Sequence, residues 1–169
     1  MSMPSGYVRC HGCNFEGVMQ RRPIAVEYVL PGGEVIRGYR RFAWCSSCEN
    51  VTEAEEALDA ASIRVEIDSL RPKQVGFFTR IFGDADVSDP RELEHLQAKL
   101  RLAQLRRSGP RCLKCGGVDI VPLAFDAGGT SNVTHTCGRR LFAVPDDPDA
   151  PRFMFKPEVI RVDPEGRRL

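Results

Sequence analysis

Four short pairs of donor residues constrain this chain more than anything else in it: Cys10 with Cys13, Cys45 with Cys48, Cys112 with Cys115, and His135 with Cys137. The Cys-x-x-Cys spacing has a physical reason. A tight turn lets two thiolates face one ion while backbone amides point at the sulfurs. Seven cysteines is an odd number, which suits a disulfide framework poorly. Adding His135 makes eight soft or borderline donors, enough for two closed four-coordinate sites. In chain order the first set is Cys10, Cys13, Cys45 and Cys48, and the second is Cys112, Cys115, His135 and Cys137. Four cysteines, or three cysteines and a histidine, are donor sets that zinc takes in structural sites, so two structural zinc ions are expected. The all-cysteine set would also accept iron.

Between the pairs the chain must run out and return. Residues 24–30 are β-branched and strand-like, Pro31, Gly32 and Gly33 make a turn, and residues 34–44 return as a second strand. Residues 118–125 run out again, residues 126–132 turn, and the chain from Val133 comes back to His135 and Cys137. Glycine just after the second ligand of a pair supplies positive φ, and Gly116 and Gly138 stand there, with Asn14 as the substitute after Cys13. This plan of donor pairs joined by hairpins resembles the zinc-ribbon class at both places. The resemblance implies an α+β chain in which two small zinc-ribbon β-hairpin modules flank a helical segment. The boundaries are 1–50 for the first ribbon with a four-cysteine site, 51–109 for the helical segment, a helical hairpin, and 110–169 for the second ribbon with its C-terminal strand extension.

Other metal chemistries fit less well. A cross-braced arrangement, with pairs alternating between two ions, would need all four pairs interleaved in one domain, and the long segment from Cys48 to Cys112 speaks against it. A zinc deaminase would place a His-x-Glu before its cysteine pair, and here the order is reversed and the glutamate missing. Four protein donors per ion leave no open position for water or substrate, so the sites are expected to be structural. His11 lies inside the first Cys-x-x-Cys turn and is read as an exposed loop residue, and His95 as a packed or solvated helix residue.

In the middle segment Thr52 and Glu55 form a capping box, predicting a helix from about Glu53 with Ala54, Ala57, Leu58 and Ala61 on one face. Ile63, Val65 and Ile67 alternate as a strand would, which leaves its end open. A short helix is expected within 75–82. Asp89, Pro90 and Glu92 predict a second long helix running to about Arg107, with Leu93, Leu96, Leu100 and Ala103 as its stripe. The stripes read first as intramolecular core, with a homodimer through the helical segment as the second reading. Residues 145–151 form an acidic, proline-punctuated loop, and 152–155 and 159–162 are short strands expected to extend the sheet of the second ribbon.

No apolar stretch approaches the ~18 residues that span a bilayer, so no membrane role is expected. Free cysteines and the absence of a secretory pattern at the N-terminus place the chain in the cytoplasm or another reducing compartment. Net charge is only +1, split as +3 over 1–48, −3 over 49–108 and +1 over 109–169, so no global pull on nucleic acid exists. The first hairpin does interleave Arg21, Arg22, Arg37, Arg40 and Arg41 with Tyr28, Tyr39, Phe42 and Trp44, a composition that suits a single-strand platform. Arg37, Arg40, Arg41 and Tyr39 are its candidate nucleic-acid contacts. The competing reading puts the aromatics in the core and the arginines in solvent. With no nucleophile-and-base pair, phosphate-binding glycine loop or His-Glu-x-x-His, no enzyme activity is expected. A non-enzymatic zinc-binding interaction protein that docks on a protein partner as an adaptor or regulatory subunit follows, with nucleic-acid binding through the first ribbon as the alternative.

Overall fold

The structure is a computed structural model and describes residues 5–20, 23–70, 90–144 and 156–169. Its strands are β1 (Ser5–Cys10), β2 (Glu16–Gln20), β3 (Ile24–Val29), β4 (Val35–Gly38), β5 (Arg40–Cys45), β6 (Asn50–Glu55), β7 (Ile120–Pro122), β8 (Thr130–Thr134), β9 (Arg140–Val144) and β10 (Glu158–Val162). Two helices are described, α1 (Ala60–Leu70) and α2 (Pro90–Leu105). The strands form three sheets, in the orders β2-β1-β9-β8, β10-β3-β4 and β6-β5-β7. Every one of these sheets joins strands from before residue 56 to strands from after residue 119.

Of the expected first hairpin, β3 and its turn are present, but the return strand expected over 34–44 divides at Tyr39 into β4, which pairs with β3, and β5, which joins β6 and β7 in another sheet. Ile24, Val26 and Tyr28 are buried and alternate with half-buried neighbours along β3, as one-sided burial of a pleated strand requires. Gly32 and Gly33 carry φ of 112° and 88°, and the Leu30 amide donates to the Glu34 carbonyl at 2.8 Å to close the turn. The tail does not extend the sheet of the second ribbon. Instead β10 lies parallel to β3, with Ile160 opposite Val26 and Val162 opposite Tyr28. Both apolar residues bury there, together with Leu102 of α2 and Leu113, in one core that a small ribbon could not build alone. Residues 152–155 and the short helix expected within 75–82 lie outside the described residues.

The helix expected from Glu53 is a strand instead. Residues 50–55 form β6, antiparallel to β5, and all five from Val51 to Glu55 are buried. The capping-box pattern of Thr52 and Glu55 is overridden because both polar side chains are used in tertiary contacts described below. The helix begins later, where Asp59 caps it: the Asp59 carboxylate accepts from the Ala61 amide at 3.0 Å and the Ser62 hydroxyl at 2.6 Å. Ile63 and Ile67 of α1 are buried against Leu96 of α2, and Val65 is exposed, so the ambiguous alternation is helical. The second helix stands where Pro90 predicts it. Its leucine stripe packs within the chain, Leu96 on α1 and Leu102 on the central core.

Candidate metal centres

The eight expected donors gather into two clusters, each with its four ligand atoms within 4.8 Å of one another. The partition differs from the one expected in chain order. Cys10 and Cys13 join His135 and Cys137, while Cys45 and Cys48 join Cys112 and Cys115. The order is nested: the first pair meets the fourth and the second meets the third. It is neither two sequential ribbons nor an alternating cross-brace.

Strand pairing is the cause. At the outer cluster, β1 runs antiparallel to β9 with Cys10 opposite Leu141, which sets the turn after β1 beside the β8–β9 turn. The His11 amide donates to the Arg140 carbonyl at 3.3 Å and stitches the two turns together. Within the second turn the Gly138 amide donates to the His135 carbonyl at 2.8 Å, with Gly138 at φ 83°. The sulfurs of Cys10 and Cys137 stand 3.3 Å apart, and His135 Nδ1 lies 3.3 Å from Cys137 Sγ and 3.5 Å from Cys13 Sγ. Phe15 and Trp44 flank the His135 ring at centroid distances of 4.7 and 5.5 Å and hold its plane.

At the inner cluster, β5 pairs with β7 so that Cys45 faces Ile120, and an isolated bridge sets Ala54 of β6 opposite Cys112. Backbone bonds from Leu113 to Glu53 and from Glu55 to Arg111, each 2.9 Å, splint this turn against β6. Cys45 and Cys115 sulfurs are 3.6 Å apart, those of Cys48 and Cys112 4.0 Å. Gly116 takes φ 74° as expected, but Asn14 has no positive φ; among the described non-glycine residues Glu49 does, at φ 48° just after Cys48.

These distances fit a bound ion. A tetrahedral ion with metal–sulfur bonds of about 2.3 Å places its sulfurs about 3.8 Å apart, far beyond the ~2.0 Å of a disulfide. All seven cysteines are free thiols. Amides of Gly12 and Gly117 point at the sulfurs of Cys10 and Cys115, each at 3.4 Å, the polarisation that thiolate ligands need. Burial works to raise the Cys112 thiol, but the Thr52 hydroxyl, 3.2 Å from its sulfur, and nearby amides outweigh it and bring it down to about 7. Burial and neighbouring thiols push Cys48 the other way, the direction that a cation set among the four sulfurs would reverse. Thr52 was not singled out by the sequence, where it reads as a helix cap.

The candidate nucleic-acid contacts are placed as follows. Arg40 pairs with the buried Glu53 and also donates from Nε to the Ile24 carbonyl at 2.9 Å; Arg41 pairs with Glu56. Tyr28 and Trp44 are buried, Phe42 is half-buried, and Tyr39 is exposed with Lys99 Nζ 4.7 Å above its ring. Arg37 is exposed on β4 opposite Glu27, and Arg21 and Arg22 lie outside the described residues. His11 is exposed as expected and stacks on Phe142 at 4.3 Å, while half-buried His95 meets Tyr39 edge-on.

No protein family, curated protein or solved structure matches the chain. Among the described residues no helix is long and apolar enough to cross a membrane. Fold and site together define a mixed α+β protein with two candidate four-donor metal centres.

Proposed function

We propose that this chain is a non-enzymatic interaction protein in which each cluster holds one structural zinc ion. The observation that carries the reading is the completeness of the two donor sets, four protein atoms within 4.8 Å in each. A four-coordinate ion so enclosed has no open position for water or substrate, the condition of a structural rather than a catalytic site. The three-cysteine, one-histidine set favours zinc over iron at the outer centre, and the same ion at both is the simplest loading. Seven free thiols suit a reducing intracellular compartment.

Two observations favour a protein partner over nucleic acid. The pairing of Arg40 and Arg41 with Glu53 and Glu56 neutralises much of the first hairpin's charge, and of its four aromatics Tyr28 and Trp44 are buried and Phe42 half-buried. The strand β7, paired with β5, is an outer strand of its sheet, and Val118, Val121 and Phe125 are exposed along and beside it. An apolar edge strand offers both backbone groups and side chains to a protein segment.

Elemental analysis of the purified chain should find two zinc ions per molecule. In the cobalt-substituted protein, Cys13→Ser should abolish the three-cysteine centre and leave the four-thiolate spectrum, because Cys13 belongs with His135. Survival of a three-thiolate spectrum instead would restore the sequential pairing. For the partner, proteins cross-linked to the tagged chain in cells should be lost when Val121 and Phe125 are changed to lysine. An unchanged set would remove this edge from the reading.

A further inference from the structure

A cavity of about 340 Å³ opens between the turn that carries Cys112 and Cys115 and the C-terminal turn after β10. Its floor is apolar, formed by Leu113, Ile160 and Val162. Its walls bring together four cations, Arg111, Lys114, Arg167 and Arg168. None of the four makes an ion pair among the described residues. Arg111 donates from Nε to the Glu165 carbonyl at 2.7 Å and from Nη1 to the Gly116 carbonyl at 2.9 Å, so it ties one wall to the other. Arg168 donates from Nη2 to the Leu113 carbonyl at 2.7 Å. Neutral carbonyls orient these guanidiniums without cancelling their charge.

The nearby carboxylates are turned away. Glu165 accepts from the amides of Arg107 and Ser108, both at 2.9 Å, and Asp163 accepts from the Arg167 amide at 2.8 Å. Neither lines the cavity. Glu55 is consumed by Arg106. Part of the positive charge answers the inner cluster, since four thiolates around a divalent ion carry a net charge of about −2. Four cations exceed that need. A cavity at the lower end of the ligand-pocket range, apolar below and cationic at its walls, matches a small molecule with an apolar or ring-shaped body and a dianionic head.

We propose that this cleft is a binding site for a small organic phosphate, its phosphoryl group held by Lys114 and the three arginines and its body laid on Leu113, Ile160 and Val162. The site is separate from the β7 edge and stands or falls without it. The convergence of the cations on one cavity favours a small ligand over a nucleic-acid strand.

The test is amide chemical-shift mapping of the metal-loaded full chain with three probes: adenosine monophosphate, inorganic phosphate and a single-stranded oligonucleotide. Adenosine monophosphate should give saturable shifts at residues 111–116 and 163–168 with a Kd of roughly 1 mM or tighter, and phosphate alone should bind the same amides more weakly. The double variant Lys114→Ala, Arg167→Ala should weaken binding by about tenfold or more while keeping its metal content. Lys114→Gln, at an exposed position, gives the same reading should the double variant misfold. The proposal is overturned by shifts that do not saturate up to about 10 mM, by saturation at other amides, or by variants that bind unchanged. Tight, steeply salt-dependent binding of the oligonucleotide without saturation by adenosine monophosphate would equally overturn it, in favour of a nucleic-acid surface.

Discussion

Single residues set how well each candidate centre would hold an ion. Thr52 reads in the sequence as a helix cap, yet its hydroxyl stands 3.2 Å from the buried Cys112 sulfur and helps to keep that thiol near 7. Thr52→Val preserves shape and β propensity and removes the hydroxyl. It should cost about 1 kcal/mol of metal binding at the inner centre, a several-fold loss in a chelator competition, with the outer centre unmoved. The loss should grow as pH falls from 8 toward 6, because protons then compete for a thiol whose ionised form has lost a hydrogen bond. A loss shared equally by both centres would sink the assignment of Thr52 to Cys112. Six of the eight candidate donors were legible in the sequence because Cys-x-x-Cys is a local pattern with a local cause, and His135 and Cys137 because they complete a second set of four. Glu49 was not, since nothing about a glutamate announces the left-handed backbone it adopts after Cys48.

At the scale of elements, the strand β6 is tied to its neighbours through a buried ion pair. Glu55 is fully enclosed and accepts from Arg106 of the segment after α2 at 2.5 Å and from the Arg111 amide at 2.7 Å. Arg106 also donates to the Tyr28 hydroxyl at 3.2 Å, so β3, β6 and the end of α2 meet at one guanidinium. Arg106→Met should destabilise the fold by about 3–5 kcal/mol in urea titration, since it strands a buried carboxylate. The double variant Glu55→Leu, Arg106→Met should recover most of that loss; double and single variants of equal stability would mean the pair is not coupled. The same residues show why this strand was misread. Thr52 and Glu55 satisfy a helix start in a window of four residues, while their partners, Cys112 and Arg106, lie more than fifty residues away. The strand β3 with its turn and the helix α2 carry their signals within their own span and stand where the pattern put them, whereas the return strand expected over 34–44 divides into β4 and β5, in different sheets.

For the whole molecule, the nested pairing welds the two ends of the chain into one body, because all three sheets draw on both. Donor spacing alone does not choose between sequential, alternating and nested partitions; the pairing of β1 with β9 and of β5 with β7 does, and long-range register leaves little trace in a single sequence. Complete chelation should therefore unfold both halves together in one transition, with metal supplying ~10 kcal/mol or more of folding free energy at each centre. Two separated transitions would show that the halves fold independently. A chain made from its N-terminus meets a hazard here. Cys10, Cys13, Cys45 and Cys48 leave the ribosome well before Cys112, and together they are a complete four-thiolate set for the wrong ion site. Under the zinc loading proposed above, zinc supplied early would lock that set, and the trapped species would have to surrender its ion before β9 could reach β1. Refolding should accordingly give more native protein when zinc follows collapse than when it precedes it. Timing of metal delivery, rather than affinity, would then be the quantity on which the yield of this protein depends.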